Sequence, residues 1–220
     1  MLQDLGEGLR IVAGNAGDHA LVLQLLVQVN QADLGEDFQS RLDDPGYEPS
    51  DRILLVRSGK LIGHVQISKH IGWFQQQRCP VAKLQDFATL PEFRGSNYDE
   101  ALLKVAEETA AREGAVVGFV HTNQPDWFRQ QGWSVCRGQG HTQANTHSIL
   151  SHFDAQWAIP RRKRPLLEVR SWRHFEADSL RRLYQQLSPN MWGCLQRSEQ
   201  TWQWLLGRKA HDQILIAVKR

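Results

Sequence analysis

The stretch from Lys83 to Trp133 constrains the fold more than any other part of this 220-residue chain. It reads as strand, tight turn, amphipathic helix, strand and short helix. Val81 to Thr89 is an extended run, and Arg94-Gly95-Ser96-Asn97 is a turn. From Tyr98 the set Tyr98, Ala101, Leu102, Val105, Ala106 and Thr109 keeps the i, i+3, i+4 spacing of a helix laid on a sheet. Gly114 ends that helix. Ala115-Val116-Val117-Gly118-Phe119-Val120 is then nearly continuous in apolar residues, as expected of a strand buried on both faces. A turn that opens directly into a helix leaves backbone N–H groups unpaired at the positive end of the helix dipole, where they can hold a phosphate. The turn therefore predicts an anion site.

What precedes this stretch supplies the rest of a sheet. Leu9 to Ala13 reads as a first strand, and Asp18 caps a helix through Leu21, Leu25, Leu26 and Val29. A second helix runs from Glu36 through Phe38 and Leu42 and stops near Pro45-Gly46. Ile53 to Val56, the Ser58-Gly59-Lys60 turn and Leu61 to Ile67 form a hairpin by run length and turn chemistry. The order predicts an α/β domain with a mixed sheet: strand, two helices, three antiparallel strands, helix, strand, helix.

Arg94, Gly95 and the Ala101-Leu102-Leu103 run that follows resemble the phosphate-gripping motif of the GCN5-related N-acetyltransferases (GNAT), written Arg-x-x-Gly-x-Gly/Ala before a helix that begins with a Leu-Leu pair. The family's two glycines fall on Asn97 and Asp99. Asn tolerates the left-handed conformation, whereas the Asp99 carboxylate would repel a pyrophosphate. Ser96 and Asp99 also have the spacing of a capping box, which would satisfy the helix end without a ligand. The resemblance implies the acyl-CoA N-acyltransferase fold, with acetyl-CoA as cosubstrate on Phe87, Ala88, Thr89, Leu90, Arg94, Gly95, Ser96, Asn97, Tyr98 and Asp99. It also implies a bulge at Phe87 to Thr89 whose backbone N–H polarises the thioester carbonyl. Asp86 stands where the family often carries an acid acting as base through water; pairing with a neighbouring strand or helix end is the competing role. Trp127-Phe128-Arg129-Gln130-Gln131-Gly132-Trp133 fits the frame that usually holds the tyrosine acid, but Phe128 has no proton to donate.

Histidine offers further bases, since its pKa lies near neutrality: His64 in the hairpin, His70 between strands and His121 after the strand that ends at Val120. A histidine in a strand is more often simply packed and hydrogen-bonded. His141, His147 and His152 with Cys136 lack zinc spacing, so no metal is expected. A Gly-x-Ser-x-Gly elbow and a Walker loop are both absent from the sequence.

After Trp133 the pattern fades through His141 to His152, where a last strand pair and a connecting helix are expected. Pro160-Arg161-Arg162-Lys163-Arg164-Pro165 follows and reads as a solvated linker rather than a nucleic-acid or localisation signal. Then the chain starts over. Leu167 to Arg170, the helix through Asp178, Leu180, Leu183, Tyr184 and Leu187, and Asp212 to Val218 echo the first strand, first helix and Asp51 to Val56, with a shift of 161 positions between Asp51 and Asp212. Arg197 to Leu206 is similar to the second helix of the second fold in tandem acetyltransferases of the enhanced-intracellular-survival type. The expected organisation is a GNAT domain over 1–158, a basic linker over 159–165 and an incomplete second GNAT-like copy over 166–220, in a fragment or shortened relative of a longer tandem protein. Five of the eight tryptophans lie after residue 150, so this half-copy is expected to dock its apolar surface on the first fold or on another copy of the chain.

Composition excludes other classes. A formal net charge of +2 gives no electrostatic ground for nucleic acid as partner. Three cysteines without Cys-x-x-Cys spacing predict a reduced, cytoplasmic protein, and no run approaches the ~20 apolar residues of a membrane span. The resemblance then implies an N-acetyltransferase acting on a small-molecule or protein amine by direct attack. The alternative is a non-catalytic module of the same fold, in which Asn97, Asp99 and Phe128 mark a decayed site kept for acyl-CoA or protein binding.

Overall fold

The computed structural model describes residues 1–30, 35–95, 97–136, 167–207 and 214–219. They fall into two compact units, Met1–Asn123 with Ala177–Ala210, and Gln124–Glu176 with His211–Arg220. Ser96, the basic linker and His141, His147 and His152 lie outside the described residues.

Unit one is a sheet ordered β1 (Gln3–Gly6), β2 (Leu9–Ala13), β3 (Arg52–Arg57), β4 (Lys60–Phe74), β5 (Gln77–Thr89), β6 (Val117–Val120). The β1–β2, β2–β3, β3–β4 and β4–β5 pairs are antiparallel, and β5–β6 is parallel. A parallel pair needs a crossover, which α3 (Tyr98–Arg112) supplies. Two further helices, α1 (His19–Asn30) and α2 (Gly35–Leu42), connect β2 to β3. The core forms where α1 and α3 lie on the sheet. Val22, Leu25 and Leu26 of α1 and Leu102, Leu103 and Ala106 of α3 are buried, as are Ile11, Ile53, Leu55, Ile62 and Ile67 of the strands. Ser58 and Gly59, both with positive φ (48° and 84°), make the predicted turn between β3 and β4.

Three expectations change. The strand at Val117 is not buried on both faces: β6 is the outer strand of the sheet, with Val116 73% and Val117 38% exposed, because no described strand covers its far side. Next, β4 and β5 run well past Ile67 and Val81, joined by a two-residue turn at Gln75 and Gln76 with φ of 50° and 66°, so His70 lies within a strand. An added strand, β1, precedes the predicted first one.

The segment after residue 166 is divided between the units. In unit two, β7 (Leu167–Ser171) pairs antiparallel with β9 (Leu215–Lys219), and α4 (Pro125–Gln130) precedes them in the chain. In unit one are α5 (Ala177–Leu187), β8 (Cys194–Leu195) and α6 (Glu199–Gly207). There β8 extends the sheet along the outer half of β4, with Gly193 N donating to Trp73 O and Gln196 N to Ile71 O, each at 2.7 Å. Trp192 stands edge-on to Phe74 with ring centroids 5.1 Å apart, and Trp204 Nε1 donates to Ser40 O at 2.8 Å. Trp192, β8 and Trp204 of this segment thus pack against β4 and α2 within unit one.

Candidate functional site

The ladder between β4 and β5 breaks at one place. His64 opposes Ala88 and Gln66 opposes Gln85, so Asp86 and Phe87 together face Val65. That is a β-bulge, and Asp86 takes φ of 51°, a conformation unusual for a residue with a side chain. The parallel pairing of β5 with β6 stops at Leu84 opposite Val120, two residues before the bulge. The pairing therefore ends, with β6 itself, just short of the bulge, which leaves that flank of β5 unpaired among the described residues.

A buried polar network holds Asp86 at both ends. Arg52 is fully buried between the rings of Phe38 and Tyr47, its guanidinium carbon 4.7 and 5.2 Å from their centroids. Its Nε donates to Tyr47 Oη at 2.8 Å, and one terminal nitrogen lies 2.9 Å from His64 Nε2. An arginine only donates, so Nε2 accepts and the proton sits on Nδ1, which donates to the main-chain oxygen of Asp86 at 2.9 Å. Burial, reinforced by the Arg52 cation, lowers the His64 pKa to about 4, so the ring is neutral at physiological pH. The Asp86 carboxylate is held by Arg41 of α2, one terminal nitrogen lying 2.6 Å from both oxygens, while the other donates to Asp37. The side chain of the bulged residue is fixed by a cation, and its main-chain oxygen by a neutral imidazole that a second cation, Arg52, holds in place.

Beyond the bulge, Leu90 N donates to Ile62 O, and a single 3₁₀ turn over Pro91–Phe93 leads into the phosphate-loop sequence. Gly95 has φ of 76° and open space where a Cβ would stand, so the backbone there is accessible. Arg94 Nε donates to Thr89 O at 3.2 Å, which keeps its remaining donors beside the turn. Arg57 and Lys60 add positive charge around the Phe93 ring. Asn97 is the N-cap of α3 and makes no side-chain cap. Asp99 is consequently the second helical residue rather than the third, so the capping-box geometry fails, and its Oδ1 accepts no hydrogen bond. Among the described residues no side chain caps this helix end, which fits an anion, whereas the two carboxylates Asp99 and Glu100 in the same turn oppose one.

Asp86 to Asp99 thus come together in unit one as bulge, strand end, turn and helix start. Phe128 belongs to unit two, where it is buried against Trp127 and Trp133 at 4.9 and 5.6 Å. No sequence signal singled out Arg41, Tyr47 or Arg52. His64 interrupts an apolar strand with a polar residue, and Arg52 opens one, a pattern that a register-aware reading could have used. Among the described residues no group of three His, Cys, Asp or Glu side chains is placed to hold a metal, and no helix is long and apolar enough to cross a membrane.

The family model described as an acetyltransferase (GNAT) domain matches residues 13–136, more than half of the chain. Among solved structures, a conserved protein of unknown function from Enterococcus faecalis V583 is similar over 96% of this chain and 52% of its own, at 15% identity and a TM-score of 0.70. A GCN5-related N-acetyltransferase from Anabaena variabilis is similar over 93% and 48%, at 18% and 0.65. Eis1 from Mycobacterium abscessus is similar over 96% and 51%, at 13% and 0.63. The chain spans about half the length of these structures, and at such identities the likeness is one of fold. No curated protein matches the sequence.

Proposed function

The chain belongs to the acetyltransferase (GNAT) family, and from that premise we propose that it transfers an acetyl group from acetyl-CoA to an amine by direct attack on the thioester. The observation that carries this reading is the Asp86–Phe87 bulge just beyond the last β5–β6 pair, with the N-terminus of α3, uncapped among the described residues, a few residues on. Acetyl-CoA supplies the activated acyl group. Arg94, Gly95 and the first turn of α3 hold its pyrophosphate, with Ser96, Asn97 and Tyr98 completing the loop and Asp99 weakening the grip. Leu90 and the backbone of Phe87, Ala88 and Thr89 line the arm and polarise the carbonyl. Asp86 receives the amine proton through water, and the thiolate leaves without help from Phe128.

A non-catalytic module of the same fold is the second reading. It is favoured by the Asp86 carboxylate, both of whose oxygens face Arg41, and by the missing hydroxyl at Phe128. Apart from the two-residue β8 between its helices, the order β7, α5, α6, β9 repeats β2, α1, α2, β3, and the pairs β2–β3 and β7–β9 are both antiparallel, which supports an incomplete second GNAT-like copy over 166–220. A cytoplasmic location and self-association belong to the same proposal. Calorimetry with acetyl-CoA, followed by thiol release in the presence of amines, tests it. Binding with turnover is expected; binding alone selects the second reading, and no binding overturns both.

A further inference from the structure

Unit one contains a cavity of about 1020 Å³, at the upper end of small-molecule sites. Its floor is the outer half of the β4–β5 hairpin. Gln66 opposes Gln85, Ser68 opposes Lys83 and His70 opposes Val81, so these side chains share one face of the ladder. The Gln66–Gln85 pair is the last before the bulge, so the inner end of the cavity adjoins the place where the acyl group is delivered. Helices α2 and α6 contribute the walls through Arg41 and Trp204.

Most cations of this wall already have partners. Arg41 is held by Asp37 and Asp86, Lys69 by Asp51 at 2.7 Å and Glu113 at 3.4 Å, and Arg197 lies over the Tyr184 and Trp202 rings. Lys83 is the exception. It is partly buried and has neither ion pair nor hydrogen bond among the described residues. Burial draws its ammonium below the usual lysine value, the Arg41 cation adds to the fall, and Asp86 opposes it. An anion placed there would relieve that penalty. A second observation lies deeper. Gln66 is only 4% exposed, and its Oε1 accepts no hydrogen bond, a costly state for a buried acceptor unless a ligand donates to it.

We propose that this cavity is the acceptor site, and that it selects a small primary amine carrying an anionic group, carboxylate or phosphate, with the anion on Lys83 Nζ and an amine N–H donated to Gln66 Oε1. The polarity follows from position. Gln66 is beside the bulge, where the nucleophile must stand, and Lys83 lies about 7 Å further out along the strands, two residues at the usual rise. A lysine side chain is long and flexible enough to meet an anion a few bonds from the amine. The inference rests on the acyl-transfer reading only in taking the ligand to be the acceptor; the binding itself does not require it.

The test is calorimetry on the full chain with β-alanine, O-phosphoethanolamine and propylamine, in parallel with acetyl-CoA. One or both anionic amines should bind more tightly than propylamine, and the tighter of the two identifies carboxylate or phosphate. Lys83→Met should weaken the preferred probe roughly 10- to 100-fold, as for loss of a hydrogen bond to a charged group, with Lys83→Arg retaining most of the affinity. Acetyl-CoA affinity and Tm should not move in either variant. Equal affinity for propylamine, no measurable binding of either anionic amine, or discrimination that survives Lys83→Met overturns the proposal. Failure of acetyl-CoA to bind while the anionic preference persists would instead sink the acyl-transfer reading and leave the anionic-amine site standing without its role as acceptor site.

Discussion

Arg52 sits in the middle of the sheet with no carboxylate against it, yet the site is built around it. Two aromatic faces, a tyrosine oxygen and a neutral imidazole solvate the charge, and one terminal nitrogen still lacks a partner. Its presence dictates the tautomer of His64 and, through His64, the orientation of the Asp86 carbonyl. The same arrangement makes the fold sensitive to acid. His64 has a folded pKa of about 4 against 6.5 in a model peptide, so the unfolded chain binds a proton that the native one refuses. The contribution is fully present above pH 6.5 and is lost as pH falls toward 4, by up to ~3 kcal/mol for a shift of this size. Burial lowers His19 and His70 in the same direction. Thermal melts at pH 7.5 and pH 5 should therefore show a drop for the wild type that shrinks in His64→Gln, even though that variant starts from a lower Tm. An equal drop in both would show that His64 titrates normally.

The elements differ in how openly the sequence declares them. The strand, turn and helix around Gly95 could be read directly, because a glycine punctuates the chain and a 3.6-residue period follows at once. The Ser58-Gly59 turn was legible for the same reason. Gln75-Gln76 carries no turn signature, since glutamine rarely takes positive φ, so the outer half of β4 and β5 went unseen, and with it Ser68 and His70 of the cavity floor. The Asp86 clamp was hidden more deeply. It depends on which residues oppose each other across a bulge, and cross-strand register lies outside any local pattern. For α3 the observed N-cap at Asn97 shifts the role of Asp99 from helix cap to a charge at the second position. A carboxylate there interacts well with the helix dipole and badly with a bound pyrophosphate. Asp99→Asn should accordingly lower stability, and with it Tm, by the ~0.3–1 kcal/mol typical of such charges, while tightening acetyl-CoA by a similar amount. Calorimetry and melting on the same preparation check the opposite signs; affinity and stability falling together would remove Asp99 from the phosphate loop's surroundings.

At the scale of the whole molecule, residues 177–210 complete the first fold instead of standing apart. They pair with the outer edge of β4, bring Trp192 to Phe74 and bond Trp204 to α2. A 1–165 chain should lose these contacts and melt about 2–8 °C lower, the shift that one to two kcal/mol produces in a protein of this size. An unchanged Tm would show the packing to be incidental. Its deeper consequence is kinetic. The proposed donor side, from Asp86 to Asp99, is clamped by partners no more than 45 positions away in the chain and can assemble early, whereas the cavity wall joins Arg41 and Lys83 to Trp204 across more than a hundred residues. Contacts of such sequence separation close late, because their loop entropy is recovered only when the ends meet. During refolding, the grip on the acyl donor should return first, and the ability to choose an amine only after the distant helix has come home.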